Sequence, residues 1–132
     1  MPMKKLIAAA LTSLMMVNAN ADNLVINLSN QTFALYDHGE LIRTGRVSAA
    51  KRGRKNFRGT FHVVYKIKDA WSVEYNAPMP YSLFFYKKKA AVHIGVVPKA
   101  HVGTSHGCIH VGSADGHFLY SSMKIGDPIT IQ

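Results

Sequence analysis

The stretch Ser105-His106-Gly107-Cys108-Ile109-His110 contains the only cysteine of this 132-residue chain. It follows an apolar run, residues 90–97, that is typical of a buried strand and contains His93. It precedes residues 113–123, the one segment with a helical pattern. A single thiol cannot close a disulfide within the chain, whereas a thiol beside histidines has the bases that a thiolate nucleophile requires. The stretch therefore predicts a catalytic cysteine between a strand and a helix.

The neighbours of Cys108 suggest how such a site would work. His93 can reach the sulfur only through the tertiary fold, and His101, His106 and His110 are further candidates to lie near it. Gly107 allows a sharp turn and close approach of a substrate. The N–H groups of Gly107 and Cys108 are expected to hold an oxyanion, and Ser105 is expected to orient a histidine.

Two other interpretations of the cluster are open. Free cysteine is often a small buried hydrophobic residue, with nearby histidines serving only as hydrogen-bonded neighbours. A metal site is the sharper alternative, since His101, His106, Cys108 and His110 are all suitable ligands. The alternate spacing 106, 108, 110 does not match the common zinc patterns. We therefore expect no metal and no cofactor.

The first residues have the pattern of a secretory signal peptide. Met1-Pro2-Met3-Lys4-Lys5 is short and positive, residues 6–17 are mainly apolar, and Ala19-Asn20-Ala21 provides a small-residue cleavage site. The apolar run is shorter than the roughly 20 residues that a membrane-spanning helix needs. We expect residues 1–21 to be a signal peptide and residues 22–132 to be one domain with no transmembrane segment, located in the periplasm or secreted.

The exported domain is basic. Residues 22–132 hold 14 of the 16 lysines and arginines and all 7 acidic residues, a formal charge of +7. The densest basic run, residues 51–58, contains glycine and has no periodicity, which predicts a loop. Export argues against nucleic acid as the partner, so wall polymers or lipid headgroups are the expected polyanions. A solvated loop kept basic for solubility is the plain alternative.

Strand patterns dominate the rest of the domain. The sequence predicts a mainly β fold of short strands at sandwich-like spacing, with one helix capped by Ser113. A hairpin turn is expected at residues 37–40, a turn at residues 87–89, and an irregular lid or rim loop at residues 69–80, where prolines are frequent. The predicted strands are residues 23–28, 31–36, 41–47, 59–67, 81–86, 90–97 and 129–131.

These residues resemble the L,D-transpeptidase family, whose YkuD-type catalytic domain remodels bacterial peptidoglycan. The family motif is a histidine, a variable gap, Ser/Thr-His-Gly-Cys, an apolar residue, and Asn or Arg. Here it is His93, a gap and Ser105 to Ile109, while His110 stands in place of the Asn or Arg. The similarity extends to Gln31 and to residues 37–39, 59–61, 79–81 and 126–129. It implies a single-domain β-sandwich of the L,D-transpeptidase catalytic type, with one short helix after the cysteine motif.

The resemblance also implies roles for individual residues. Cys108 would be the nucleophile and His93 the general base, while Ser105, His106, Gly107 and His110 support the site and Tyr81 borders the substrate pocket.

The implied reaction forms a thioester with a peptidoglycan stem peptide, which an amine acceptor then resolves. Carbapenem-type inhibitors are expected to acylate the same cysteine. A peptidoglycan hydrolase using the same residues (an L,D-carboxypeptidase, endopeptidase or amidase) is an alternative, as is a non-catalytic wall-binding or metal-binding protein. The domain is expected to be a monomer.

Overall fold

The computed structural model describes residues 21–132, which form nine β-strands and one α-helix. The predicted signal peptide lies, except for Ala21, outside the described residues. The elements in chain order are β1 (Asn23–Asn27), β2 (Thr32–Asp37), β3 (Glu40–Ser48), β4 (Gly59–His62), β5 (Tyr65–Ser72), β6 (Ala77–Tyr86), β7 (Ala90–Ile94), β8 (Ile109–Val111), α1 (Ser113–Ser122) and β9 (Pro128–Ile131).

The strands form a single curled sheet in the order β4-β9-β1-β2-β3-β8-β7-β6-β5. Strand β3 belongs to both halves, because its residues 40–46 pair with β2 whereas Val47 and Ser48 pair with β8. The curl brings the two ends together, so that Phe61 of β4 lies 5.4 Å from Phe85 of β6, ring centroid to ring centroid. The predicted mainly β, sandwich-like architecture is thereby confirmed, as one sheet folded on itself.

The core lies between the two halves of the sheet. Alternate residues of β1, such as Leu24 and Ile26, are fully buried and pack in the same cluster as Val92 of β7 and Ile109 of β8. Each such side chain stabilises the fold by about 1.5–3 kcal/mol through removal of apolar surface from water. Helix α1 closes one side of this core with Leu119, and the buried Met123 follows the helix directly.

The predicted strand over residues 59–67 is wrong in one respect, since it is two strands. The chain leaves β4 at His62 and enters β5 at Tyr65, and these strands pair with β9 and β6 respectively. Between them the N–H of Val63 donates to Asp127 and that of Val64 donates to Phe84. Alternating apolar residues continue through this step, so the sequence pattern gave no sign that the chain crosses between the two halves.

The prediction of an irregular segment at residues 69–80 is also wrong, because these residues belong to the β5–β6 hairpin. Pro78 pairs with Trp71 and Pro80 with Asp69. Strand β7 pairs only with residues 83–86 of β6, so the earlier part of β6, which contains both prolines, is an edge on that side. The N–H groups that the prolines lack therefore cost no hydrogen bond between strands. The hairpin therefore projects beyond the rest of the sheet, with residues 73–76 at its tip.

The helix forms where expected, but its cap differs. The N-cap is Gly112 rather than Ser113, and no side-chain hydrogen bond caps the helix. Asp115 in the first turn accepts from Arg43 Nε at 2.8 Å, which joins α1 to β3. Among residues 21–132, no helix has the length and apolar character needed to cross a membrane.

Candidate active site

Two of the predicted site residues lie side by side on the parallel pair β7–β8, and Cys108 directly precedes β8. His93 pairs with His110, and Val92 pairs with Ile109. Val92 and Ile109 point into the main core, whereas Ala91 and Cys108 belong to a separate small cluster, so the intervening positions face the other side of the sheet. The pairing thus brings His93 to the same face as Cys108 and His110, although it precedes both by more than a dozen positions.

His93 is almost completely buried, and its ring is held by the backbone. Nδ1 lies 2.8 Å from the carbonyl oxygen of Ile94. Because a carbonyl can only accept, Nδ1 carries the proton and Nε2 keeps its lone pair. Burial, and to a smaller extent neighbouring His110, lower the pKa of His93 to about 4, against the opposing effect of the Ile94 hydrogen bond. His93 is therefore a neutral imidazole in the tautomer that a general base needs.

Cys108 lies immediately before β8 and is partly buried against Ala91 and its apolar neighbours. Its Sγ is 4.0 Å from the carbonyl oxygen of Lys89. Burial raises the pKa of the Cys108 thiol, and a hydrogen bond from the Ala91 backbone opposes this only in part. Within residues 21–132 no hydrogen bond joins Sγ to a histidine, so the resting site is a neutral thiol near a neutral imidazole.

The backbone of the cysteine motif is shaped by Ser105. Its buried hydroxyl donates to the carbonyl of Cys108 and accepts from the N–H of Gly107 at 3.0 Å. Gly107 has a φ of +143°, a conformation that a side chain would disfavour. Two expectations are corrected here, because Ser105 contacts the backbone rather than a histidine and the Gly107 N–H is already occupied.

His110 occupies a space that sequence reasoning did not identify. Its Nδ1 lies 3.2 Å from the carbonyl oxygen of Val96, and its ring centroid is 4.8 Å from that of His93. A Cβ on Gly95 would come within 2.6 Å of the His110 ring, so the glycine makes room for it. The sequence did contain a sign of this arrangement, because a glycine, Gly95, lies two positions after His93. The reason for that glycine is visible only from the β7–β8 register, which places it against His110.

The family model of the L,D-transpeptidase catalytic domain, YkuD, matches residues 21–131. The chain belongs to the L,D-transpeptidase catalytic domain family. The family recognised from the cysteine motif is thereby confirmed, although no curated protein matches the chain significantly.

Solved structures of other L,D-transpeptidases share this fold. The enzyme from Stackebrandtia nassauensis superposes with a TM-score of 0.78 at 22% identity, over 85% of this chain and 55% of its own. LdtMt1, solved in complex with imipenem, gives 0.77 at 23%, covering 86% and 59%. L,D-transpeptidase 3 from Mycobacterium tuberculosis, solved with a faropenem-derived adduct, gives 0.73 at 20%, covering 85% and 60%. The chain therefore spans little more than half the length of these structures.

The other two histidines near the candidate site lie apart from the His93–His110 pair. His106 is exposed and stacks on Tyr75 of the β5–β6 hairpin tip, with ring centroids 4.0 Å apart and planes 5° from parallel. Burial, Lys51 and Arg54 lower the pKa of His106. His101 is exposed, with Nδ1 3.3 Å from the carbonyl oxygen of Asn30. Within the described chain, only His110 makes a ring contact with His93.

Tyr81 of the transpeptidase domain faces the helix. Its ring centroid lies 4.2 Å from that of His117 and 5.3 Å from that of Tyr120, both on α1. Its φ of +56° marks an irregularity in β6 that turns the ring towards α1. None of its ring contacts in the described chain involves the cysteine motif, so its role as a pocket residue stays a prediction.

The possible metal ligands around Cys108 do not converge within the described residues. Within residues 21–132, the one group of three candidate ligand atoms within reach of each other is Asp22, Asp37 and His38. These belong to β2 and the turn after it, and to the residue before β1. The histidines around Cys108 therefore do not offer the closed ligand set that a structural zinc site requires.

Proposed function

We propose that this domain is an exported cysteine acyltransferase that acts on peptidoglycan stem peptides, an L,D-transpeptidase in activity as well as in family. The observation that carries the proposal is that His93 on β7 and Cys108, immediately before the parallel strand β8, lie on one face of the sheet, with the lone pair of His93 Nε2 left free by the Ile94 carbonyl. This is the pairing that a thiol nucleophile and its general base require.

The first half-reaction begins with both groups neutral. The thiol turns from the Lys89 carbonyl towards β7, passes its proton to His93 Nε2, and Sγ attacks the peptide carbonyl. The oxyanion that forms is held by the N–H of Cys108, since that of Gly107 is engaged by Ser105. His93 then returns the proton to the leaving amine, so that the C–N bond breaks and a thioester remains.

The second half-reaction consumes the thioester. An amine of a second stem peptide, deprotonated by His93, attacks the thioester carbonyl, the C–S bond breaks, and the thiol regains the proton. In this proposal the domain works in the periplasm or outside the cell, as a monomer, and β-lactams of the carbapenem class acylate the same sulfur. The imipenem complex of the similar LdtMt1 supports the last point.

Intact-mass measurement tests the proposal. Incubation with a stem tetrapeptide or imipenem should add one acyl group to the protein, and peptide mapping should place it on Cys108. Cys108→Ala should abolish the adduct, and His93→Gln should slow its formation by about 10²–10⁴-fold, the range typical of general-base catalysis. Absence of any covalent species on Cys108 would refute acyl transfer.

A second candidate, hydrolysis, is favoured by one observation. His110 stands where relatives carry Asn or Arg, and its Nδ1 also faces a carbonyl, so a second Nε2 lone pair lies beside His93. A second imidazole can accept a proton from water as the thioester is resolved. Digestion of purified sacculi separates the two candidates, because cross-linked tetra–tri dimers indicate transfer whereas shortened monomers alone indicate hydrolysis.

A further inference from the structure

Eight exposed cations lie in two segments that the fold places around Cys108. We call them the basic rim. One segment is the loop between β3 and β4, and the other is the turn between β6 and β7. The members are Lys51, Arg52, Arg54, Lys55, Arg58, Lys87, Lys88 and Lys89.

The two segments meet next to the cysteine motif. The Phe57 ring of the loop lies 5.2 Å from the Tyr86 ring that leads into the turn. On the loop side, a Cβ built on Gly107 would touch Phe57 at 3.7 Å. On the turn side, the carbonyl oxygen of Lys89 is 4.0 Å from Sγ of Cys108. The two rim segments therefore border the cysteine motif, one beside Gly107 and the other beside the thiol.

The loop segment is held by specific contacts. Asn56 Oδ1 accepts the N–H of Ala50 at 2.9 Å, and Phe57 packs edge-on against Phe61 and Phe85. Arg54 Nη1 donates to the hydroxyl of Tyr75 at 3.3 Å, and Tyr75 in turn stacks on His106. These contacts fix the backbone of the loop, so its cations are held beside the site.

The charge of the rim is not neutralised within the described chain. The ion pairs of residues 21–132 involve His38, Arg43 and Lys124, none of which belongs to the rim. Glu74 is the one carboxylate that acts on His106, where it opposes Lys51 and Arg54. The surface around Cys108 therefore has a positive electrostatic potential that attracts an anionic ligand.

We propose that the basic rim makes the site selective for acyl donors with free carboxylates beside the attacked bond, over the corresponding amides. The inference rests on the proposed function and names the donor class. A carboxylate loses its attraction to the rim when it is amidated, while its shape changes little. Because exposed charges are screened within about 10 Å at 0.1 M salt, the preference should weaken as salt rises.

Binding to Cys108→Ala tests the proposal without requiring catalysis. Two stem peptides that differ only in free carboxylates or amides are titrated at low and at high salt. The carboxylate peptide should bind about tenfold more tightly at low salt, and the difference should shrink at high salt. The variant Arg52→Gln/Lys55→Gln/Lys87→Gln/Lys88→Gln should lose the difference, while Lys68→Gln/Lys124→Gln, which removes exposed charge away from the rim, should keep it. Equal affinity for both peptides would overturn the proposal.

Kinetics with the active enzyme separates this inference from the proposed function. The fourfold rim variant should lower kcat/KM for the carboxylate donor by about tenfold and leave the amide donor unchanged. A failure of both donors to acylate Cys108 would refute acyl transfer but leave the binding result standing. If the rim variant instead lost only binding to an anionic wall polymer, with no change in peptide preference, the rim would be a polymer-docking surface and the proposal would be wrong.

Discussion

At the scale of single residues, burial keeps both His93 and Cys108 uncharged. The pKa of His93 is lowered to about 4 and that of the Cys108 thiol is raised, in each case mainly because the charged form loses its hydration. A preformed thiolate–imidazolium pair is therefore disfavoured. In the proposed mechanism, proton transfer therefore accompanies attack on the substrate, which restricts the thiolate to the moment when a carbonyl is in place.

The pH dependence of Cys108 alkylation tests this resting state. Because burial raises the pKa of the thiol above its ordinary value of 9.0, the rate of reaction with iodoacetamide should still be rising above pH 9. His93→Ala should change this profile more than His106→Ala, since His106 stacks on Tyr75 instead of the His93 pair. A plateau reached below pH 8 would show that an ion pair exists in the free enzyme.

The stability of the fold should depend on His93 in a defined pH window. The unfolded residue takes up a proton around its ordinary pKa of 6.5, while the folded residue stays neutral down to about 4. Between these values the unfolded state binds more protons, so the free energy of unfolding should fall by about 3 kcal/mol as the pH is lowered from 6.5 to 4. Urea denaturation at several pH values measures this.

His93→Gln should remove most of that slope, because glutamine does not titrate. His62→Gln, an exposed position on β4, serves as the matched control and should leave the slope unchanged. An equal slope in His93→Gln and the unmodified protein would contradict the assignment of the pH dependence to His93.

Gly95 should prove necessary for the position of His110. Gly95→Ala places a methyl group 2.6 Å from the His110 ring, so the ring must move or the strand must shift. We expect a loss of about 1–3 kcal/mol in unfolding free energy and reduced acylation of Cys108. Gly112→Ala, where nothing lies within 4 Å of the added carbon, should change acylation far less.

At the scale of elements, the end of β3 supports the cysteine motif. The carbonyl of Ala49 accepts the N–H groups of Thr104 and Ser105, and the carbonyl of Ser105 accepts that of Lys51. Gly103 lies so close to this segment that an added Cβ would clash with the carbonyl oxygen of Ala50. The chain segment that leads to Cys108 is thus held by backbone hydrogen bonds to the residues that follow β3, more than fifty positions earlier in the chain.

Gln31, in the turn between β1 and β2, holds the segment after β3 in place. Its buried amide donates to the carbonyl of Leu28 at 2.9 Å and accepts the N–H of Ala49 at 2.8 Å. Gln31→Leu leaves that N–H without a partner, which should cost about 1–3 kcal/mol. Chemical denaturation measures the loss, and Ser29→Ala in the exposed part of the turn should change stability by less than half of it.

At the scale of the whole molecule, the two halves of the sheet form one unit. Strand β3 pairs with both halves, and the buried residues of both lie in a common cluster. We therefore expect a single cooperative unfolding transition, with coincident midpoints in far-UV and near-UV circular dichroism. Two separate midpoints would show that the halves unfold independently. Trp71 is 55% exposed on the projecting hairpin, so its fluorescence is a poor reporter of the core.

Much of this organisation follows from the sequence alone. The alternation of apolar residues predicts most strands, the motif around Cys108 predicts the family, and both are confirmed. Local patterns carry this information because strand and turn preferences depend on neighbouring residues. The split at Val63 and the hairpin at residues 69–80 were not predictable in this way, since they depend on which strand each segment meets.

The sequence by itself determined a mainly β domain with a single cysteine, an excess of positive charge and several candidate bases. Only the tertiary structure decided which histidines share a face with Cys108, that Ser105 and Gly107 bond to each other, and that two basic segments border the thiol. The physical reason is that the register of β7 against β8 and the curl of the sheet arise from packing between distant residues, which no local pattern encodes.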